Sequence, residues 1–241
     1  MNPHQVTRDF EAALCEYTGA PYAVCVNSCT AALLLACAWH MRNGGAVRAM
    51  HVGDLERDDV VRIGTNLVQD SPSAFEIPRR TYVSVPQSII HAGGRVTFRD
   101  EEWSGAYQFK PYPIWDSARL FTGGMYDNFG QTRYVEGGHF RGSGAFVCVS
   151  FHASKTLGIE QGGAILHGDP AADAWFRRAR FDGRREGVAP KDDTFDMVGW
   201  HCYMNPSTAA QGLLRLHSLP LHNAPLPNDP YPDLSEFEVF R

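Results

Sequence analysis

The sequence has no apolar run long enough to cross a bilayer. The longest, Ala31 to Trp39, falls well short of the ~20 residues a spanning helix needs. Its start, Met1-Asn-Pro-His-Gln-Val-Thr-Arg, lacks the apolar core of a secretory signal. An excess of positive charge is also missing. Lysine and arginine number 22 against 27 acids, for a net charge of −5 and a pI near 6.0, which excludes the broad basic footprint of a nucleic-acid binder. Only small basic patches, Arg177-Arg178-Ala-Arg180 and Arg184-Arg185, interrupt that balance. The six cysteines (15, 25, 29, 37, 148 and 202) show no paired Cys-x-x-Cys spacing and mostly lie in apolar surroundings. They read as small buried hydrophobes in a reducing compartment, neither a disulfide frame nor a zinc site, so no bound metal is expected. No repeat or low-complexity tract is present. These absences describe a cytoplasmic protein with no nucleic-acid or membrane partner.

What is there suits one substantial domain: 241 residues, 44% hydrophobic and 20% charged. Val6, Phe10, Ala13, Leu14 and Tyr17 have helical spacing over residues 5–18, ended by Gly19 and Pro21. Tyr22 to Val26 reads as a buried strand, and Asn27-Ser-Cys-Thr30 opens a helix from Ala31 to Met41. Residues 42–76 read as a surface excursion. A strand end at Phe75, a loop holding Tyr82, a short helix begun near Pro86 and a strand Arg95 to Phe98 follow. Another strand, Pro113 to Ala118, carries Asp116, and a glycine-rich loop is expected from there to about Gly144. Two strands flank the turn holding Lys155, and helices are expected over Asp173–Arg180 and Thr208–Leu216. From Pro220 onward five prolines and many acids predict an extended or disordered tail, which would pack along a partner. The domain is thus read as 1–219, with 220–241 as a proline-rich extended tail. Alternating apolar strands and helices predict an α/β fold with a largely parallel sheet.

The chemistry gathers around Val147-Cys-Val-Ser-Phe-His-Ala-Ser-Lys-Thr-Leu-Gly-Ile-Glu-Gln-Gly-Gly-Ala-Ile-Leu166. A lysine in a turn between buried strands loses solvation, and its pKa falls. Schiff-base chemistry needs that, because only the neutral amine attacks a carbonyl. The plainer reading is a surface-loop lysine. Three other segments supply parts that pyridoxal phosphate requires. The strand-to-helix turn at Asn27–Thr30 presents free N–H groups and hydroxyls to a phosphate, although Ser28 or Thr30 would also serve as a simple helix cap. Tyr82 can lay its ring over a flat cofactor, or be a core aromatic. Asp116, at the end of its strand, can hold a protonated pyridine nitrogen, or cap the next segment.

The same segments resemble the DegT/DnrJ/EryC1/StrS family of sugar aminotransferases. Asn27-Ser-Cys-Thr-Ala-Ala-Leu is similar to the family's phosphate turn, with Cys29 in place of a glycine. Thr81-Tyr-Val-Ser-Val-Pro and Asp116-Ser-Ala-Arg follow its patterns for the stacking aromatic and the pyridine-nitrogen acid, and Ser150-Phe-His-Ala-Ser-Lys matches its lysine motif. The resemblance implies an α/β, three-layer, mostly parallel sheet of the aspartate aminotransferase-like large domain in compact form. It assigns Lys155 as the catalytic lysine, and Ser28, Cys29, Thr30, Tyr82, Asp116, Arg119, Ser150 and His201 as cofactor contacts. It also implies a homodimer, pyridoxal 5'-phosphate as cofactor, and small-molecule substrates: an amino donor such as glutamate and a nucleotide-linked keto-sugar. Arg79, Arg80 or Arg119 would meet the anionic acceptor.

The chain departs from the family pattern in several places. It is shorter between Phe98 and Pro113, and no C-terminal small domain follows the last helix. Arg119 replaces an amide, His201 an asparagine and Tyr203 an arginine. These departures leave room for decarboxylation or elimination on an amino acid or modified nucleoside, or for a non-catalytic relative. The retention of Lys155, Asp116 and Ser150 favours the aminotransferase.

Overall fold

The computed structural model describes residues 4–42, 49–50, 74–129, 133–136 and 139–240. Helix α1 (Gln5–Thr18) ends where Gly19 adopts φ 80° and returns its N–H to Cys15 O. Strand β1 (Tyr22–Val26) leads through Asn27-Ser28 into α2 (Cys29–Arg42). After β2 (Ala49–Met50) come β3 (Ala74–Pro78), α3 (Ser84–His91), β4 (Arg95–Arg99), β5 (Tyr107–Phe109) and β6 (Ile114–Asp116). Helix α4 (Tyr126–Phe129) and the pair β7 (Arg133–Glu136) and β8 (His139–Ser143) precede β9 (Phe146–Ser150) and β10 (Gly163–His167). Asp169 caps α5 (Pro170–Ala179) by accepting the N–H groups of Ala171 and Ala172, and Asn205 caps α6 (Pro206–Ser218) in the same way at Ser207.

The main sheet has the order β1-β10-β9-β6-β5, and β3-β4 adjoins it through a bridge between Glu76 and Lys110. Strands β6 and β9 pair parallel, as do β3 and β4. Strands β10 and β5 run against their neighbours. Followed through these pairings, β1, β3, β4, β6 and β9 all point the same way, with β10 and β5 reversed among them. The sheet is therefore mostly parallel in direction, but most direct partners in its main part are antiparallel. A reversed strand can be inserted without altering the alternation of its side chains, so the sequence pattern does not register it.

Alternation along the strands builds the two cores. Val24, Val26, Cys148 and Ile165 face α2, α3 and α5, where they meet Leu33, Leu35, Ile89 and Phe176. Ala23, Cys25, Val147, Val149, Ala164 and Leu166 face the opposite layer of α1, α4 and α6, against Phe10, Leu14, Met125 and Leu216. This is a three-layer α/β architecture. Each fully buried Phe, Leu or Ile contributes roughly 1.5–3 kcal/mol.

The structure differs from the sequence reading in three places. The loop expected between Asp116 and Gly144 contains α4 and an antiparallel pair, β7–β8, which joins β2 in a separate three-stranded sheet. Strand β5 lies in the stretch where no element was read. The tail is extended, as read, but it does not trail away from the domain. Its extended backbone folds back on the chain's own surface, and two short 3-10 turns bury Leu234 and Phe240. Most of the excursion read at 42–76 lies outside the described residues. All six cysteines are free, and all but Cys15 are buried. Among the described residues no helix is long and apolar enough to cross a membrane.

Candidate functional site

The strands that share a direction end at one edge of the sheet, and the candidate residues sit there. Val26 ends β1, Asp116 ends β6 and Ser150 ends β9, while β3 leads into Thr81 and Tyr82. Open α/β sheets place ligands outside these carboxyl ends. Gly163, at the start of β10, pairs with both Ser150 and Val26. A Cβ on Gly163 would lie 2.6 Å from Cys29 N, 2.7 Å from Ser28 C and 2.8 Å from Val149 O. The missing side chain is what lets the turn before α2 press against the sheet beside Ser150.

Within that turn, Ser28 Oγ accepts the Ala31 N–H at 3.1 Å, and Asn27 N–H donates to Cys202 O at 2.8 Å. The cap expected of Ser28 or Thr30 is thus filled by Ser28. Thr30 Oγ1 lies 2.8 Å from Ser84 Oγ instead. Tyr82 stands between Ser84 and Thr81, whose hydroxyl lies 2.6 Å from Tyr107 Oη. At 59% exposure Tyr82 is no core aromatic, and its ring is free to cover a flat ligand.

Asp116 is 4% exposed. The Tyr107 hydroxyl donates to Asp116 Oδ2 at 2.8 Å and the Ala118 N–H donates to Oδ1 at 2.9 Å. Burial pushes the carboxyl above its usual range, against these two donors and the charges of Lys155 and Arg119. Tyr107, which the sequence reading missed, thereby joins the candidate site. It reaches Asp116 only through the antiparallel pairing of β5 with β6, where the two are opposite. The same burial raises its phenol well above the ordinary value.

Lys155 lies in the turn after β9, where its N–H donates to His152 O at 2.8 Å. The side chain is half-buried, and its ammonium is held below the usual lysine value, first by desolvation and then by the Arg119 charge. Asp116, the Cys29 thiol and Asp229 act in the opposite direction. Cys29 is itself buried, and burial raises its thiol well above normal. Lys155, Asp116, Arg119 and Cys29 are thus within electrostatic reach of one another.

Arg119 is buried, and its guanidinium is held by Asp229 and by Tyr231 Oη, the latter at 2.9 Å. Arg79 and Arg80, read as alternative contacts for an anion, are already matched by Asp100 and Asp233. His201 is placed differently. Its ring is largely exposed and bonds Asp182 at 2.9 Å, and among the described residues no hydrogen bond or ion pair joins it to Lys155. Its neighbour Tyr203 bridges Val26 beside the α2 turn. An apolar groove of about 550 Å³ between α1 and α6, lined by Ala13, Leu213, Leu214 and Leu221, carries none of this chemistry.

A profile of the DegT/DnrJ/EryC1/StrS aminotransferase family matches residues 3–47 and 132–225, more than half of the chain. The chain belongs to that family. Solved structures that share the fold include AtS13 from Actinomadura melliaura, at 17% identity and a TM-score of 0.61, covering 90% of this chain and 60% of that one. The sugar aminotransferase CalS13 from Micromonospora echinospora aligns at 17% identity and a TM-score of 0.60, covering 89% and 60%. Helicobacter pylori PseC, an aminotransferase of pseudoaminic acid biosynthesis, aligns at 16% and 0.58, covering 89% and 58%. This member of the DegT/DnrJ/EryC1/StrS family therefore spans less than two thirds of the length of these relatives. No curated protein matches the chain.

Proposed function

We propose that this chain binds pyridoxal 5'-phosphate through Lys155 and transfers an amino group from an amino acid such as glutamate to a keto-sugar carried on a nucleotide. The observation that carries the reading is the convergence of Lys155, Asp116 and the α2 turn at one edge of the sheet. Family membership and the sugar aminotransferases among the solved relatives support the substrate class.

The residues fit the cofactor. The α2 turn, with Ser28, Cys29 and Thr30 and with Ser150 across Gly163, offers hydroxyls and helix N-terminal N–H groups to a phosphate. Asp116, buried and pushed toward its neutral form, is a carboxyl that a protonated ring nitrogen would return to its ionised state. Tyr82 supplies an exposed ring beside them, and Arg119 a cation for a phenolic oxyanion. When bound, pyridoxal phosphate supplies the electron sink for chemistry at an amino acid's α-carbon. Lys155 Nζ, with its proton already loosened by burial and Arg119, is the atom of this chain that holds and moves the proton. A homodimer completes the reading. Exposed Tyr82, Val83 and Ile90 beside the site, and the outward-facing His201, suit a second copy, and a strict monomer by light scattering would remove this part of the proposal.

The test is the near-visible spectrum of the protein mixed with pyridoxal phosphate, followed by borohydride reduction and peptide mapping. The chain has three lysines (110, 155 and 191), so the assignment is unambiguous. A band fixed on Lys155 is expected, with Lys155→Ala losing both label and transamination. No band, or label spread over Lys110 and Lys191, overturns the reading in favour of a non-catalytic relative.

A further inference from the structure

The C-terminal segment is tied to the candidate site by backbone, side chain and ring. Leu226 N–H donates to Arg119 O at 2.8 Å, and Leu234 N–H donates to Arg79 O at 2.8 Å. The Arg119 guanidinium donates to the Asp229 carboxylate and the Tyr231 hydroxyl, and lies 5.8 Å from the centre of the Tyr231 ring. Trp103 stands between the tail and the site. Its ring is near-parallel to Tyr231 at 6.3 Å and tilted against Tyr107 at 4.6 Å, and Tyr107 in turn bonds Asp116. Asn228 Nδ2 donates to Trp103 O at 2.7 Å.

The pairing at Arg119 is asymmetric. The arginine side chain is 8% exposed, whereas Asp229 is 67% exposed and lies 110 residues further along the chain. A buried guanidinium needs a counter-charge. Asp116 ends the preceding strand, but its oxygens accept from Tyr107 and Ala118, and the ion pair that Arg119 forms among the described residues is with Asp229. The charge therefore comes from the tail, where Pro225, Pro227, Pro230 and Pro232 restrict the backbone and lower the entropy cost of holding Asp229 in place.

We propose that residues 226–231 are a working part of the site, with Asp229 and Tyr231 as positioning residues that hold Arg119 and offset its charge at the sheet edge where the paired strands β6 and β9 lead into Arg119 and Lys155. Among the described residues, the groups whose charge bears on Lys155 are Asp116 at the end of β6, Arg119 after it, Cys29 of α2 and Asp229 of the tail, while His152 and Arg215 also border its turn. Of these, only Asp229 is supplied by an exposed, extended segment. Removing its charge leaves Arg119 uncompensated, so a larger share of Lys155 becomes neutral at a given pH.

The experiment uses the full chain without added cofactor. Lys155 acetylation by dilute acetic anhydride at pH 8 is followed by peptide mass spectrometry, with Lys110 and Lys191 as internal references. Asp229→Asn is expected to speed Lys155 modification roughly twofold or more, consistent with an uncompensated charge at several ångströms. Asp229→Glu should restore the parent rate. Asp233→Asn, which alters the same tail at Arg79 and Arg80, should leave it unchanged. Because Asp229 is exposed, its replacement spares the core. An Asp229→Asn rate equal to the parent's, or an equal change in Asp233→Asn, overturns the proposal. The proposal extends the cofactor reading to the tail, yet the two fail separately: the acetylation shift needs no cofactor, and borohydride labelling of Lys155 needs no tail.

Discussion

At the scale of single residues, the informative group is Asp116. Its folded pKa is raised, so ionising it costs folding energy, and the loss sets in as pH climbs from the unfolded carboxylate value through the raised one. Asp116→Asn, neutral at every pH, should therefore make the cofactor-free protein more stable than the parent at pH 7. The gain should vanish below the ordinary aspartate pKa near 3.8, as urea unfolding at both pH values would show. Tyr107→Phe keeps the ring but removes the donor to Asp116 and the partner of Thr81, at a cost of about 1–2 kcal/mol in the same assay. Lys155, Asp116 and Ser150 could be picked from the sequence because each ends or follows an apolar strand in a recognisable motif. Tyr107 and Asp229 could not. One reaches the site only through strand pairing and the other only through a folded-back tail, and neither relation leaves a local mark on composition or spacing.

At the scale of elements, Gly163 shows how closely the site depends on packing. Gly163→Ala would drive a methyl group into backbone atoms of Ser28, Cys29 and Val149, none of which can rotate away. A loss of about 1–3 kcal/mol is expected in thermal or chemical unfolding, with weaker binding of a phosphate-bearing ligand at the α2 turn. Helices α1, α5 and α6 and strands β1, β4 and β9 were legible because their apolar periods are clean and Gly, Pro, Asp or Asn punctuates their ends. Strands β5, β7 and β8 were not: β5 has only three residues, and β7 and β8 are polar and lie among Gly137, Gly138, Gly142 and Gly144, so neither shows an apolar run like those of β1 and β9.

At the scale of the whole molecule, burial of His40 and His167 sets the response to acid. Each is held neutral by desolvation, with its pKa lowered from 6.5 to about 3. Asp173, 3.7 Å from His167, does not reverse this because it is committed to Arg177. A histidine with a depressed folded pKa stabilises fully above the unfolded value, and that stability is lost as pH falls from 6.5 toward 3. Each site should add about 1.4 kcal/mol of loss per pH unit. Urea midpoints between pH 7 and 4.5 should fall accordingly, and His40→Leu should remove about one such increment from the slope. The sequence pattern announced the layered α/β class but not the order of strands in the sheet, because pairing partners are chosen in three dimensions by surfaces that look alike in one.

The union of Arg119 with Asp229 also has a consequence in time. A ribosome adding roughly 5–20 residues per second finishes the sheet edge well before it reaches the tail, and the 110 residues between the two partners take it roughly 5–20 seconds. From the synthesis of Lys155 until that of Asp229, the nascent chain carries the Arg119 cation without its counter-charge. The candidate site is thus completed only after all the described strands have been made, and a chain interrupted before residue 229 would hold those strands and the lysine yet lack the acid that balances Arg119.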